Sequence, residues 1–246
     1  ALLSEKAVDV DYLTFKLNEK LKEDGGKLDL AEKETITFKL RNTVVIPGGS
    51  DNHSTPAEPA APELPFTDVT TDHPFYEDIK YVYEKGLMQG VSEDIFQSAT
   101  TTTRGMIVTI LYRLENEPAV SGGSAFTDVE SGAWYADAVA WAAANDIVNG
   151  TSATTFAPNS PITREQMAAI LYRYAAYKGY DVSQKADLSG YTDAASISGY
   201  AKDALAWANA QKLITGVTDT TLNPQGSATR AQVATILMRF CENVMQ

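Results

Sequence analysis

From Phe66 onward the chain repeats itself three times, and no other feature restricts its fold as tightly. The tetrapeptide FTDV at 66–69 returns as FTDV at 126–129 and as YTDA at 191–194. LMQG, IVNG and LITG end at Gly90, Gly150 and Gly216, while TTR, ITR and ATR end at Arg104, Arg164 and Arg230. The interval from glycine to arginine is 14 residues in every copy, and that from the aspartate to the glycine is 22, 22 and 23. Copies start 60 and 65 residues apart, longer than the roughly 34–47 residues of common two-helix solenoid repeats.

Each copy decodes in the same way. A first helix is expected at 76–85, 135–145 and 200–211, with Ile79, Val139 and Leu205 eleven residues before the glycine and Tyr81, Trp141 and Trp207 nine before it. After the glycine comes a loop with Phe96, Phe156 or Leu222 at +6 and, in the last two copies, Pro158 and Pro224 at +8. The second helix begins at the arginine. Its apolar residues fall at +3, +6, +7 and +10: Ile107, Ile110, Leu111 and Leu114, then Met167, Ile170, Leu171 and Tyr174, then Val233, Ile236, Leu237 and Phe240. That is one stripe on a 3.6-residue helix, in the same phase three times. The expectation is a mainly helical domain with pseudo-threefold character.

The rest of the chain is organised differently. Residues 1–46 hold two alternating stretches, Leu13-Phe15-Leu17 and Ile36-Phe38-Leu40, whose period of two reads as strand. A hairpin alone is marginal, so this short β-rich segment is expected to be the C-terminal remnant of a preceding domain. No charged n-region and apolar h-region follow Ala1, so a signal peptide is not expected within this sequence. Residues 47–65, PGGSDNHSTPAEPAAPELP, form a linker, part flexible and part polyproline-like. Repeat boundaries are then 66–120, 121–185 and 186–246.

Composition narrows the partners. A net charge of −12 argues against nucleic acid or an anionic membrane surface as the main partner, since both require a basic face, and no apolar run approaches the ~20 residues of a membrane span. A local basic pocket remains compatible. Catalytic constellations are absent: His53 and His73 have no partner pattern, Cys241 has no nearby histidine, and no GxSxG, P-loop, HExxH or CxxC occurs. No enzyme activity, metal or cofactor is expected.

The residues that ask for explanation are the arginines. Thr163 and Gln166 make a capping box, yet Arg164 lies between them in a first turn, where the macrodipole disfavours a cation by about 0.3–1 kcal/mol. Arg104 and Arg230 repeat the misfit. Two readings stand open. In one, the guanidinium braces loops by binding carbonyls and an acidic neighbour such as the repeat's own Asp68, Asp128 or Asp193. In the other, free N–H groups at the helix start and the guanidinium together receive a carboxylate or phosphate. Gly90, Gly150 and Gly216 suit positive φ or a close backbone approach. The aspartates read as turn-formers. Trp134 and Tyr135 could stack on a sugar ring, whereas Trp141 and Trp207 lie mid-helix and read as core.

With these residues in view, FTDVESGAWYADAVAWAAANDIVNGTSATTFAPNSPITREQMAAILYRYAAYKG closely resembles a bacterial S-layer homology repeat, and residues 66–246 resemble the triplet in which such repeats occur. The resemblance rests on the FxDV opening, the aromatics heading the first helix, the IVNG-like turn, F-x-P and ITRxE/Q. It implies three helical repeats in a pseudo-threefold arrangement around a central three-helix bundle. It also implies a role at the extracellular cell surface, anchoring an exported protein non-covalently and as a monomer to an acidic secondary cell-wall polysaccharide bearing pyruvylated N-acetylmannosamine. Arg104, Arg164 and Arg230 would contact the ligand, with Gly90, Gly150 and Gly216 nearby. TTTRGM departs from the motif, with Gly105 after the arginine and no capping box, so the groove of Arg104 is expected to be the weakest.

Overall fold

Six α-helices carry the described part of the molecule, residues 64–245 of a computed structural model. They are α1 (Tyr76–Glu84), α2 (Arg104–Leu114), α3 (Ala136–Ala144), α4 (Arg164–Tyr177), α5 (Lys202–Ala210) and α6 (Arg230–Asn243). Two short 3₁₀ turns, Ala194–Ser196 and Gly199–Ala201, precede α5. The expected hairpin at 1–46 and nearly all of the linker lie outside the described residues.

The long helices α2, α4 and α6 start at the repeated arginines for a local reason. Thr103, Thr163 and Thr229 are extended, and each hydroxyl accepts from the backbone N–H three residues on. In α4 and α6 the glutamines at that third position, Gln166 and Gln232, bond back to the threonine N–H and complete capping boxes. Met106 cannot do the same for α2. The short helices end alike, on a left-handed residue at Gly86, Asp146 or Lys212.

Packing runs from each repeat to the next. Helix α2 lies against α3, α4 against α5, and α6 closes the ring against α1. At the starts of the long helices three backbone hydrogen bonds form a cyclic triangle. Thr102 N–H donates to Ala228 O (3.0 Å), Ala228 N–H to Ile162 O (3.0 Å) and Ile162 N–H to Thr102 O (2.9 Å). Away from that triangle Tyr174 meets the Phe240 ring at 5.8 Å and donates its hydroxyl to Glu115 at 2.6 Å. The arrangement is thus pseudo-threefold around the long helices. Nearly all stripe residues are buried, including Ile107, Leu111, Met167, Leu171, Val233 and Leu237; burying one such side chain stabilises by about 1.5–3 kcal/mol. Trp141 and Trp207 are core residues, as expected.

Candidate functional site

Each repeat builds a loop between its glycine and its arginine, and the aspartate of FTDV shapes it. Asp68 accepts from the N–H groups of Phe96 and Gln97 (2.8 and 2.7 Å), Asp128 from Phe156 and Ala157 (2.8 and 2.7 Å), and Asp193 from Leu222 and Asn223 (2.9 and 2.7 Å). The second residue of each pair, Gln97, Ala157 or Asn223, sits at φ 52–59°, a conformation a non-glycine residue adopts only when held there. At Asp128 the loop hydrogen bonds outweigh desolvation and the pKa falls below its ordinary value. The loop bonds, led by that from Leu222, also lower the pKa of Asp193.

The repeated glycines answer to close approach, not to positive φ. A Cβ on Gly150 would lie 2.2 Å from Ser152 O, 2.4 Å from Thr155 O and 2.7 Å from the Phe126 ring. Gly90 is closed in the same way by Ser92 O and Phe66, and Gly216 by Thr218 O and Tyr191. Beside Gly90 a cavity of about 350 Å³ is lined by Phe66, Tyr83, Gln89, Ser92 and Glu93.

Each arginine reaches across to the loop of the following repeat. Arg104 donates from Nε to Phe156 O (2.8 Å) and from Nη2 to Asn149 O (3.1 Å). Arg164 bonds Leu222 O (2.9 Å) and Thr215 O (2.5 Å), and Arg230 bonds Phe96 O (2.7 Å) and Gln89 O (2.6 Å). The guanidinium carbon lies 4.5 Å from the Phe156 ring centre in Arg104 and 4.4 Å from that of Phe96 in Arg230, a cation–π geometry. Leu222 offers Arg164 no ring. All three arginines are buried, 5–7% exposed, and desolvation lowers their pKa values.

Three sequence-based expectations change here. The acidic neighbour of each arginine belongs to the next repeat, not its own: Asp128 acts on Arg104, Asp193 on Arg164 and Asp68 on Arg230. The helix starts hold no free N–H groups in their first two positions. Arg104, Arg164 and Arg230 N–H donate to Ser160, Gly226 and Thr100 O, and Gly105, Glu165 and Ala231 N–H to Pro158, Pro224 and Ser98 O. Loop-bracing therefore occupies these backbone donors and two guanidinium nitrogens. Nη1 makes no hydrogen bond to a described residue. Among described side chains only the Thr102 hydroxyl is both fully buried and unpaired, so Nη1 retains access.

The third change separates the two aromatics at the start of α3. Trp134 is 59% exposed, whereas Tyr135 is 7% exposed. Its ring edge meets Trp134 at 5.1 Å, and it lies 3.4 Å from where a Cβ on Gly105 would stand. Tyr135 therefore has no open face for a sugar. The structure thus joins Arg104 to the residue before Gly150, Arg164 to that before Gly216 and Arg230 to that before Gly90. Sequence reasoning missed Glu165, which accepts hydrogen bonds from Ser198 and Tyr200. Its only signal was an acid standing where the other copies have Gly105 and Ala231.

Comparison with known proteins bears directly on these three repeats. A model of the S-layer homology domain matches residues 65–105, 125–168 and 190–234. The chain belongs to the S-layer homology family. Over 172 residues, 68% of the chain, it is 35% identical to a surface-layer 125 kDa protein of Lysinibacillus sphaericus. It is 31% identical over 209 residues, 83% of the chain, to an endoglucanase of Bacillus sp. (strain KSM-635), and 27% identical over 182 residues, 70% of the chain, to a cellulosome-anchoring protein of Acetivibrio thermocellus. The chain spans 14%, 22% and 40% of the lengths of those proteins. The S-layer homology repeats place it at the bacterial cell surface, in a family that serves surface anchoring. Among the described residues no helix is long and apolar enough to cross a membrane.

Proposed function

We propose that residues 66–246 anchor an exported protein by binding an acidic, pyruvylated cell-wall polysaccharide in the grooves between repeats, without transforming it. The observation that carries this reading is the guanidinium that each repeat delivers to its neighbour's glycine loop, with Nη1 unpaired among the described residues. A pyruvate ketal leaves a carboxylate on the sugar, and a guanidinium nitrogen is a suitable donor for it. Gly90, Gly150 and Gly216 bring bare backbone to the same place, and Trp134 offers an open ring to a pyranose. An acidic protein binding an acidic polymer depends on such local cations, so affinity weakens modestly with salt and persists at neutral pH, where guanidinium stays charged.

One observation favours a second reading. Each arginine already braces a loop, as it would in a surface scaffold for other proteins. Cosedimentation with purified cell wall, before and after chemical removal of ketal pyruvate, separates the two. An anchor for the pyruvylated glycan loses most of its binding after removal, and a scaffold keeps it. The endoglucanase relative suggests a context for the anchor, a parent that is a wall-tethered hydrolase.

A further inference from the structure

The residue before the close-packed glycine differs among the repeats: Gln89, Asn149 and Thr215. Only the asparagine has a side-chain carbonyl at the right distance for the next backbone nitrogen to attack and close a succinimide ring. Glycine eases that attack, because no Cβ stands beside the nitrogen. Asn149 is exposed, and its side chain makes no hydrogen bond to a described residue. The nitrogen is equally unoccupied. Gly150 N–H donates to no described residue, although Val148 and Thr151 on either side of the pair donate to Ala142 O and Thr155 O.

The other described asparagines are protected. Glu117, Asp146, Ser160 and Val244, which follow Asn116, Asn145, Asn159 and Asn243, all donate their N–H groups to backbone carbonyls. Ala210, after Asn209, belongs to α5, and Pro224, after Asn223, has no N–H. Asn145 and Asn209 are also held at Nδ2, by Trp141 O at 2.8 Å and Ile214 O at 3.1 Å. At Asn149 the neighbouring repeat adds a further group. Arg104 Nη2 donates to Asn149 O at 3.1 Å, the oxygen of the very peptide whose nitrogen attacks. Loss of the Gly150 amide proton spreads negative charge onto that oxygen, and a guanidinium donor stabilises it. The same hydrogen bond polarises that carbonyl for water once the ring has formed.

We propose that Asn149–Gly150 is a spontaneous modification site, at which Arg104 promotes conversion of Asn149 to isoaspartate and then pairs with the carboxylate produced. Gly150 N gives its proton to hydroxide and attacks Asn149 Cγ. The new N–Cγ bond replaces the bond from Cγ to Nδ2, which leaves as ammonia with a proton taken from water. Water then adds to the main-chain carbonyl carbon of Asn149, and the bond from that carbon to Gly150 N breaks. The net change is amide and water to acid and ammonia. The main chain now runs through Cβ and Cγ, one methylene longer, and the carbonyl that Arg104 held has become a free carboxylate. This chemistry is independent of the anchoring reading above. Its consequence, that the converted chain loses the junction of the first two repeats for wall binding, rests on that reading.

The experiment incubates the folded full chain in mildly alkaline buffer and locates isoaspartate by peptide mapping after labelling with an isoaspartyl methyltransferase. Position 149 is expected to convert at least about tenfold faster than any other described asparagine, whose attacking nitrogens are engaged or missing. Asn149→Thr, which installs the residue type of the third repeat, abolishes the signal. Arg104→Lys, checked for folding by its thermal midpoint, slows conversion several-fold. A second variant leaves the arginines untouched: Gln89→Asn sets an asparagine before Gly90, in the grip of Arg230, and is expected to make position 89 convert within a few-fold of the rate at 149. Conversion at 149 no faster than at Asn159 overturns the site. A folded Arg104→Lys chain converting as fast as wild type, a Gln89→Asn chain inert at position 89, or aspartate as the main product overturns the part given to the arginine. Wall binding is read on the same samples. Converted wild type is expected to cosediment with cell wall several-fold less than fresh chain, whereas Asn149→Thr keeps its binding through the incubation. Equal binding by fresh and converted chain overturns the loss of the junction. A fresh chain that does not bind tells against the anchoring reading and leaves the modification to be decided by the mapping.

Discussion

The approaches to α2 and α4 have the same architecture and different chemistry. Thr101 to Met106 and Pro161 to Gln166 both cross the central hydrogen-bond triangle, cap a helix with threonine and send an arginine to the next repeat. Read alone, the first copy looks defective, since glycine weakens a helix turn by about 0.5–1 kcal/mol and methionine cannot close a capping box. Its neighbour changes that judgement. A Cβ on Gly105 would stand 3.0 Å from Pro158 O and 3.4 Å from the Tyr135 ring. Beside Glu165 the position matching Tyr135 is Ala201, six residues before Trp207 as Tyr135 is before Trp141. Small residue faces large ring in one junction, and long carboxylate faces small residue in the other. Departures from a repeat motif are then read as fits between repeats, not as decay within one.

The strongest way to break this comparison is to give α2 the residue of α4. Gly105→Glu should destabilise the domain by about 2–3 kcal/mol in urea unfolding, because the junction is overpacked and no counterpart of Ser198 and Tyr200 awaits the carboxylate. Adding Tyr135→Ala to that variant should recover part of the loss. If Gly105→Glu is neutral, the glycine is not there to fit Tyr135.

A smaller effect of opposite sign is expected at the triangle. Thr102 and Ile162 are equivalent and both 0% exposed, but the Thr102 hydroxyl has no hydrogen-bond partner among the described residues. Thr102→Val keeps the shape, leaves the backbone triangle intact and removes an unsatisfied buried group. A gain of about 1 kcal/mol is expected in the same urea measurement. A loss would show that the hydroxyl is satisfied in solution, by water for example.

Much of this was legible in the sequence because it recurs at fixed spacing. The long helices begin at the arginines, their stripes are buried, and the aspartates form turns, since periodicity and capping are local properties. The targets of the arginines were not legible. An interval of 14 residues within every copy cannot say that Arg104 serves the loop of the next copy, because ring closure is a tertiary fact. The difference between Trp134 and Tyr135 was not legible either: one lies four and seven residues before buried Ala138 and Trp141, the other four and seven before buried Val139 and Ala142, so helical phase does not separate them. Glu165 was hidden because one acid among 32 acquires meaning only when Tyr200 is seen above it.

The smallest expected effect tests whether the first junction keeps room for improvement. Gln166 Oε1 accepts from Thr163 N–H at 3.3 Å and Gln232 Oε1 from Thr229 N–H at 3.1 Å, whereas Met106 leaves the Thr103 N–H without such a partner. Met106 is partly exposed, so a glutamine there need not disturb the core. Met106→Gln should complete the box and stabilise by about 0.5 kcal/mol, near the lower bound of capping effects, seen as a small upward shift in the thermal midpoint. No gain, or a loss, would mean that the methionine side chain contributes packing that the missing hydrogen bond does not outweigh. The α2 start would then be adapted to its neighbours at Met106 as well as at Gly105.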